Sequence, residues 1–128
     1  MAVSGEFSQM TIPHEFRPMA YIASPYSLPD PVENTHLAIA AGERLDASGL
    51  LTAYIPHMNL LWHIVYPHNV DFWYGYDIAF LARCDVLYRL PGKSQGADDE
   101  IAFANEVGMP VFYDEDKVIA WAHDWLDL

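Results

Sequence analysis

Val86-Leu87-Tyr88-Arg89-Leu90, then Ser94-Gln95-Gly96-Ala97-Asp98-Asp99-Glu100, Ala104 and Gly108-Met109-Pro110-Val111: the fold turns on this stretch. An apolar run of strand length gives way to a loop, a helical pattern, a glycine stop and a second short apolar run. A loop holding one glycine, with a carboxylate four residues later, predicts a helix over 98–107 with Glu100 in its first turn. The carboxylate then sits over the end of a strand, where open α/β sheets bind their ligands. The positive end of a helix also favours the ionised acid, which suits a carboxylate that must attack an electrophile. The ordinary alternative is that Asp98, Asp99 and Glu100 are first-turn acids matched to the dipole.

The same alternation extends in both directions. Met19–Ala23 reads as a buried first strand, and the two prolines of 24–29 make a loop. Asp30-Pro31-Val32-Glu33 opens a helix as N-cap, first-turn proline and capping-box acid. Its apolar face is Ala38, Ile39, Ala41 and Leu45, and Gly49 ends it. Leu50–Ile55 reads as a second strand. Residues 56–70, rich in His, Trp, Tyr and Pro, read as an active-site or interface loop with one short helical turn at most. A helix over 71–82, strands over 86–90 and 110–113 and an amphipathic helix over 117–126 complete the series. Strands alternating with helices predict one α/β domain over 19–128, its mostly parallel sheet covered on both faces. Residues 1–18, without periodicity, read as a tail ordered only by a partner.

Composition narrows the function. The chain has 128 residues, a formal net charge of −12 and only six Lys and Arg. Such a surface repels nucleic-acid polymers and anionic membranes. No apolar run reaches the roughly 20 residues that span a bilayer, and no secretory leader is recognisable. The single cysteine, Cys84, reads as a small core residue in a reducing, cytoplasmic compartment.

Asp77 and Asp85 lie eight residues apart; read singly, Asp85 is a turn residue and Asp77 a helix position among aromatic neighbours. Three ordered pieces then resemble the nucleoside 2-deoxyribosyltransferase superfamily: Ala20-Tyr21-Ile22-Ala23-Ser24-Pro25-Tyr26; Asp77 with Asp85; and Ser94-x-Gly96-x-x-x-Glu100 with Ala104 and Gly108-x-Pro110-Val111. The Ser-Pro-Tyr and Phe72-Trp73-x4-Asp77 runs are most similar to its small bacterial and phage members. The resemblance covers about residues 19–113 and implies a Rossmann-like (flavodoxin-like) sheet of four to five strands.

It also implies chemistry on a small-molecule nucleoside or nucleoside 5′-monophosphate, by hydrolysis or by transfer of deoxyribose to another base, without a cofactor. Glu100 matches the nucleophile that forms a glycosyl-enzyme ester. Asp77 matches the acid serving the leaving base, and Tyr21 the tyrosine that orients the nucleophile. Tyr26 falls where an aromatic ring flanks the base, Ser94 matches a phosphate-holding hydroxyl, and Gly96 admits the sugar. Ser24, read with these as substrate-binding, belongs to the first loop, where the Ser24-Pro25 pair replaces the glycine-rich or serine-containing turn of the family's monophosphate hydrolases and Pro25 has no N–H to offer a phosphate. Asp98 and Asp99 add negative charge there, and Arg89 and Lys93 read as solvated cations able to offset it. Family members are homo-oligomers whose neighbouring subunit completes the site, which implies a homodimer or homotetramer.

Two other readings stand beside this one. The altered first loop also fits a nucleotide or nucleotide-sugar sensor without turnover. His57, His63 and His68, spaced by six and five residues, could ligate zinc, although His57 and His68 read better as pocket-lining. His14, His36 and His123 read as surface. The aromatic cluster Trp62, Tyr66, Phe72, Trp73, Tyr74 and Tyr76 reads as core or subunit interface.

Overall fold

The structure, a computed structural model, describes residues 12–128. Four parallel strands, β1 (Met19–Ala23), β2 (Thr52–Tyr54), β3 (Val86–Arg89) and β4 (Val111–Phe112), form one sheet in the order β2-β1-β3-β4. Five helices flank it: α1 (Pro31–Ala47), α2 (Leu60–Val65), α3 (Val70–Leu81), α4 (Gln95–Glu106) and α5 (Glu115–Trp125). This is the flavodoxin-like architecture expected, with four strands.

β1 and β3 are central, so both faces of each are covered and their sequences run apolar without alternation. Ala20, Ile22, Val86 and Tyr88 point to one face, where Ala38, Ala41 and Leu45 of α1 and Val118 and Ala122 of α5 meet them. Tyr21, Ala23 and Leu87 point to the other, against Leu81 of α3 and Ala97 and Ala104 of α4. The chain leaves β1 toward β2 and leaves β3 toward β4. The crevice between their following loops is therefore the switch point at which such sheets bind ligands.

Local chemistry sets the helix starts. Asp30 caps α1, its carboxylate accepting from Val32 N at 3.0 Å, with Pro31 in the first turn. Ser94 caps α4 in the same way, accepting from Ala97 N at 3.1 Å. That cap starts α4 at Gln95, three residues before the predicted 98. Glu100 consequently lies in the second turn and faces inward, and the first-turn acid is Asp98. The expected dipole support for Glu100 is lost, because it fades beyond the first turn.

Three other expectations change. Residues 56–70 are mostly helical: a 3-10 turn over Pro56–Asn59, with proline in its first turn, runs directly into α2. Arg89 is buried rather than solvated; its guanidinium donates to the carbonyls of Leu90 and Gly92 and faces Asp98 Oδ1 at 3.4 Å. The part of the predicted tail that is described is held by the chain itself. Buried Arg17 donates to Leu51 O at 3.2 Å and Asp46 Oδ1 at 3.1 Å, and Thr52 Oγ1 donates to His14 O at 2.9 Å. Residues 1–11 lie outside the described residues.

Cys84 is buried, and its thiol is pushed up to about 12, first by burial and then by the charge of Asp85. Asp85 is a brace between strands, its Oδ2 accepting from Met19 N at 2.8 Å. Among the described residues no helix is long and apolar enough to cross a membrane.

Candidate active site

β1 aims Tyr21 at the face covered by α3 and α4, and α4 aims Glu100 at the same place. The Tyr21 hydroxyl donates to Glu100 Oε2 in the buried interior. Asp77, on α3, is close enough that its charge acts on both Tyr21 and Glu100. Tyr54, paired with Tyr21 across β1 and β2, stacks on it with ring centroids 5.6 Å apart. Phe80 lies parallel to Tyr54 at 4.6 Å and extends the stack.

Burial dominates the electrostatics. It pushes Glu100 up to about 8; the Tyr21 hydrogen bond pulls the other way, Asp77 adds to the rise, and buried Arg89 opposes it. Burial likewise takes Asp77 up to about 7, against a hydrogen bond from Asn59 Nδ2 to Oδ1 at 3.3 Å. Tyr21 is driven well above its ordinary value, first by burial and then by Glu100, so it remains a proton donor. Two carboxyls with raised values in one buried site are a recognised mark of acid–base chemistry.

The crevice wall is built from three loops. His57, itself buried, bonds Pro25 O through Nε2 at 2.8 Å. A carbonyl only accepts, so Nε2 carries the proton and Nδ1 is bare, buried and, among the described residues, without a partner. Burial also holds His57 below its ordinary value, hence neutral. Asn34 Nδ2 clasps the same loop through Tyr26 O at 3.0 Å and Leu28 O at 2.9 Å. The Tyr26 ring meets His57 edge-on at 5.5 Å, and Pro25 packs on Gly92, in the loop after β3.

The structure brings Tyr21, Glu100 and Asp77 together, while Tyr26, on the loop after β1, meets His57, in the 3-10 turn after β2. Ser24 is half-buried beside Pro25. Ser94 has its oxygen engaged by the α4 cap, and Gly96 is exposed within the first turn of α4. The three candidate zinc ligands are not assembled: His57 serves Pro25, while His63 Nδ1 accepts from Trp73 Nε1 at 2.8 Å and His68 N at 3.2 Å. Among the described residues no group of three or more His, Cys, Asp or Glu could hold a metal ion.

Sequence reasoning missed Asn59, Tyr54 and Phe80. Tyr54 was recoverable from register, since aligned parallel strands place Tyr21 and Tyr54 side by side. Two cavities, of about 370 and 260 Å³, lie elsewhere: one around Ile39, Asp46 and Met58, the other around Arg89, Gly92 and Tyr113. Neither is lined by Tyr21, Asp77 or Glu100.

No protein-family model matches the chain, and no curated protein matches it. Among solved structures it is similar to a 2-deoxyribosyltransferase from Bacillus psychrosaccharolyticus, at 18% identity and a TM-score of 0.52, over 73% of this chain and 69% of that one. At that identity the likeness carries the architecture, and the chain shares with that enzyme a flavodoxin-like fold of one parallel sheet between helices.

Proposed function

We propose that this chain cleaves the N-glycosidic bond of a (deoxy)nucleoside or its 5′-monophosphate through a glycosyl ester on Glu100. The supporting observation is the buried trio itself: a tyrosine hydroxyl on one carboxyl, with a second carboxyl in electrostatic range, on a fold shared with a 2-deoxyribosyltransferase. The Glu100 carboxylate bonds to C1′ as the C1′–N bond breaks. Its electron pair leaves on the base, and the proton of Asp77 goes to a base nitrogen. Water, or the N–H nitrogen of a second base, then attacks C1′ while the ester C1′–O bond breaks; Glu100 leaves as the carboxylate, and Asp77, now ionised, takes the proton of the attacking group and is reset.

In the protein alone the values run against these roles, Glu100 about 8 against Asp77 about 7. Tyr21, Arg89 and the positive charge developing on the sugar all favour ionised Glu100, so substrate redistributes the protons. The pair titrates jointly, and kcat/KM is expected to be bell-shaped with its maximum between about 7 and 8.

The test is incubation with 2′-deoxynucleosides and their monophosphates, with and without an acceptor base. Free base without acceptor means hydrolysis; dependence on the acceptor means transfer. Tight binding with no product would favour the sensor reading, to which the engaged Ser94 oxygen and Pro25 lend some support.

We also propose that two copies complete the site. From Ala47 to Val70 no Asp, Glu, Lys or Arg occurs, in a chain of net charge −12. Leu61, Ile64, Val65 and Val70 are exposed on this stretch, and mutual repulsion between copies is weakest there. Sedimentation is expected to give an oligomer that Ile64→Asp turns into monomer with lost turnover. A monomeric active wild type would refute this.

A further inference from the structure

Asn59 is the last residue of the 3-10 turn Pro56–Asn59 and stands at the N-cap of α2. An asparagine there ordinarily spends its side chain on the helix's free N–H groups. Asn69 does so before α3, accepting from Phe72 N at 2.8 Å. Asn59 makes no such cap. Its amide turns instead to Asp77 Oδ1 at 3.3 Å, with the Tyr54 hydroxyl oxygen at 3.5 Å.

We propose that Asn59 is a positioning residue for Asp77: its amide N–H occupies Oδ1, so the proton of Asp77 resides on Oδ2. The reason is the donor inventory. An amide nitrogen can only donate, so Oδ1 must accept and cannot carry hydrogen on that side. Tyr54 holds the same amide from behind, and its own ring is fixed between Tyr21 and Phe80. The amide therefore fixes which carboxyl oxygen faces a leaving group. The service to catalysis rests on the proposed function; the effect on the titration of Asp77 does not.

The experiment is a carbon-13 NMR titration of labelled aspartate side chains, in which Asp77→Asn identifies the Asp77 signal. A donor to the carboxylate favours the ionised form. Asn59→Leu and Asn59→Ala are therefore expected to move the Asp77 midpoint upward by roughly half a pH unit or more. A midpoint unmoved or lowered in both variants overturns the proposal, since it would mean that Asn59 does not donate to Asp77. In turnover, kcat is expected to fall about tenfold with KM within about twofold. A raised KM with unchanged kcat would make Asn59 a substrate contact and also overturn it. Should the wild type release no base from any nucleoside while the midpoint still rises, the glycosidic reading fails and the Asn59–Asp77 coupling stands.

Discussion

Glu100→Gln is expected to abolish turnover and, in alkaline solution, to make the protein more stable. The first effect follows from the proposed role of Glu100 as nucleophile, and a loss of at least about 10³-fold is expected. The second follows from linkage. Folded Glu100 titrates at about 8, above its ordinary 4.5. From pH 4.5 upward the unfolded chain sheds this proton while the folded chain keeps it, so wild-type stability falls until the folded value is passed. Glutamine has no proton to shed, and its carbonyl still accepts from Tyr21. The advantage of the variant is small at pH 5 and grows to roughly 3 kcal/mol by pH 8.5, discounting the full linkage of ~1.4 kcal/mol per unit. For a domain of this size that is a rise in Tm on the order of 10 °C. Thermal melts at both pH values check it; equal melting of variant and wild type at pH 8.5 would mean that Glu100 is not held protonated by burial.

Gly92→Ala is expected to cost about 2–3 kcal/mol. Gly92 has φ +119°, a backbone conformation that side chains resist, and an added Cβ would lie 2.7 Å from Pro25 Cγ. A proline ring cannot swing aside, so the loop after β1 must move, dragging Pro25 O from His57 and Tyr26 from its place. Gly49→Ala is the control. Its φ is +77°, with nothing near an added Cβ, so it carries backbone strain alone, about 1 kcal/mol. Denaturant melts should rank Gly92→Ala well below Gly49→Ala. With substrate, KM should rise more than kcat falls, because the displaced loop faces the ligand crevice while the acids are untouched. Equal stability of the two variants would show that the Pro25–Gly92 contact carries no energy.

The alternation of strands and helices was legible because β1 and β3 are buried on both sides and their helices carry explicit stops and caps. Ser94 illustrates what was misjudged. Its cap begins α4 early, so Glu100, expected in the first turn with support from the helix dipole, lies in the second turn as a buried acid. The short helices over 56–65 were obscured by Pro56 and by a run too apolar and too brief to show a period. Tyr21, Asp77 and Glu100 were singled out only together, through the resemblance of three ordered pieces to the nucleoside 2-deoxyribosyltransferase superfamily. Asn59 was not legible: an asparagine beside a proline turn reads as loop chemistry, and only tertiary structure delivers it to Asp77. Arg89 was misread because a lone arginine ending an apolar strand gives no sign that backbone carbonyls will surround it.

Arg17 and Asp85 tie the strands together where they begin, whereas the loops carrying Pro25, His57 and Gly92 gather where they finish. The ties between strands and the candidate site thus occupy opposite poles of one small sheet. A designer could reinforce the first pole for heat tolerance without disturbing the second, or rewrite the second while the scaffold stays intact.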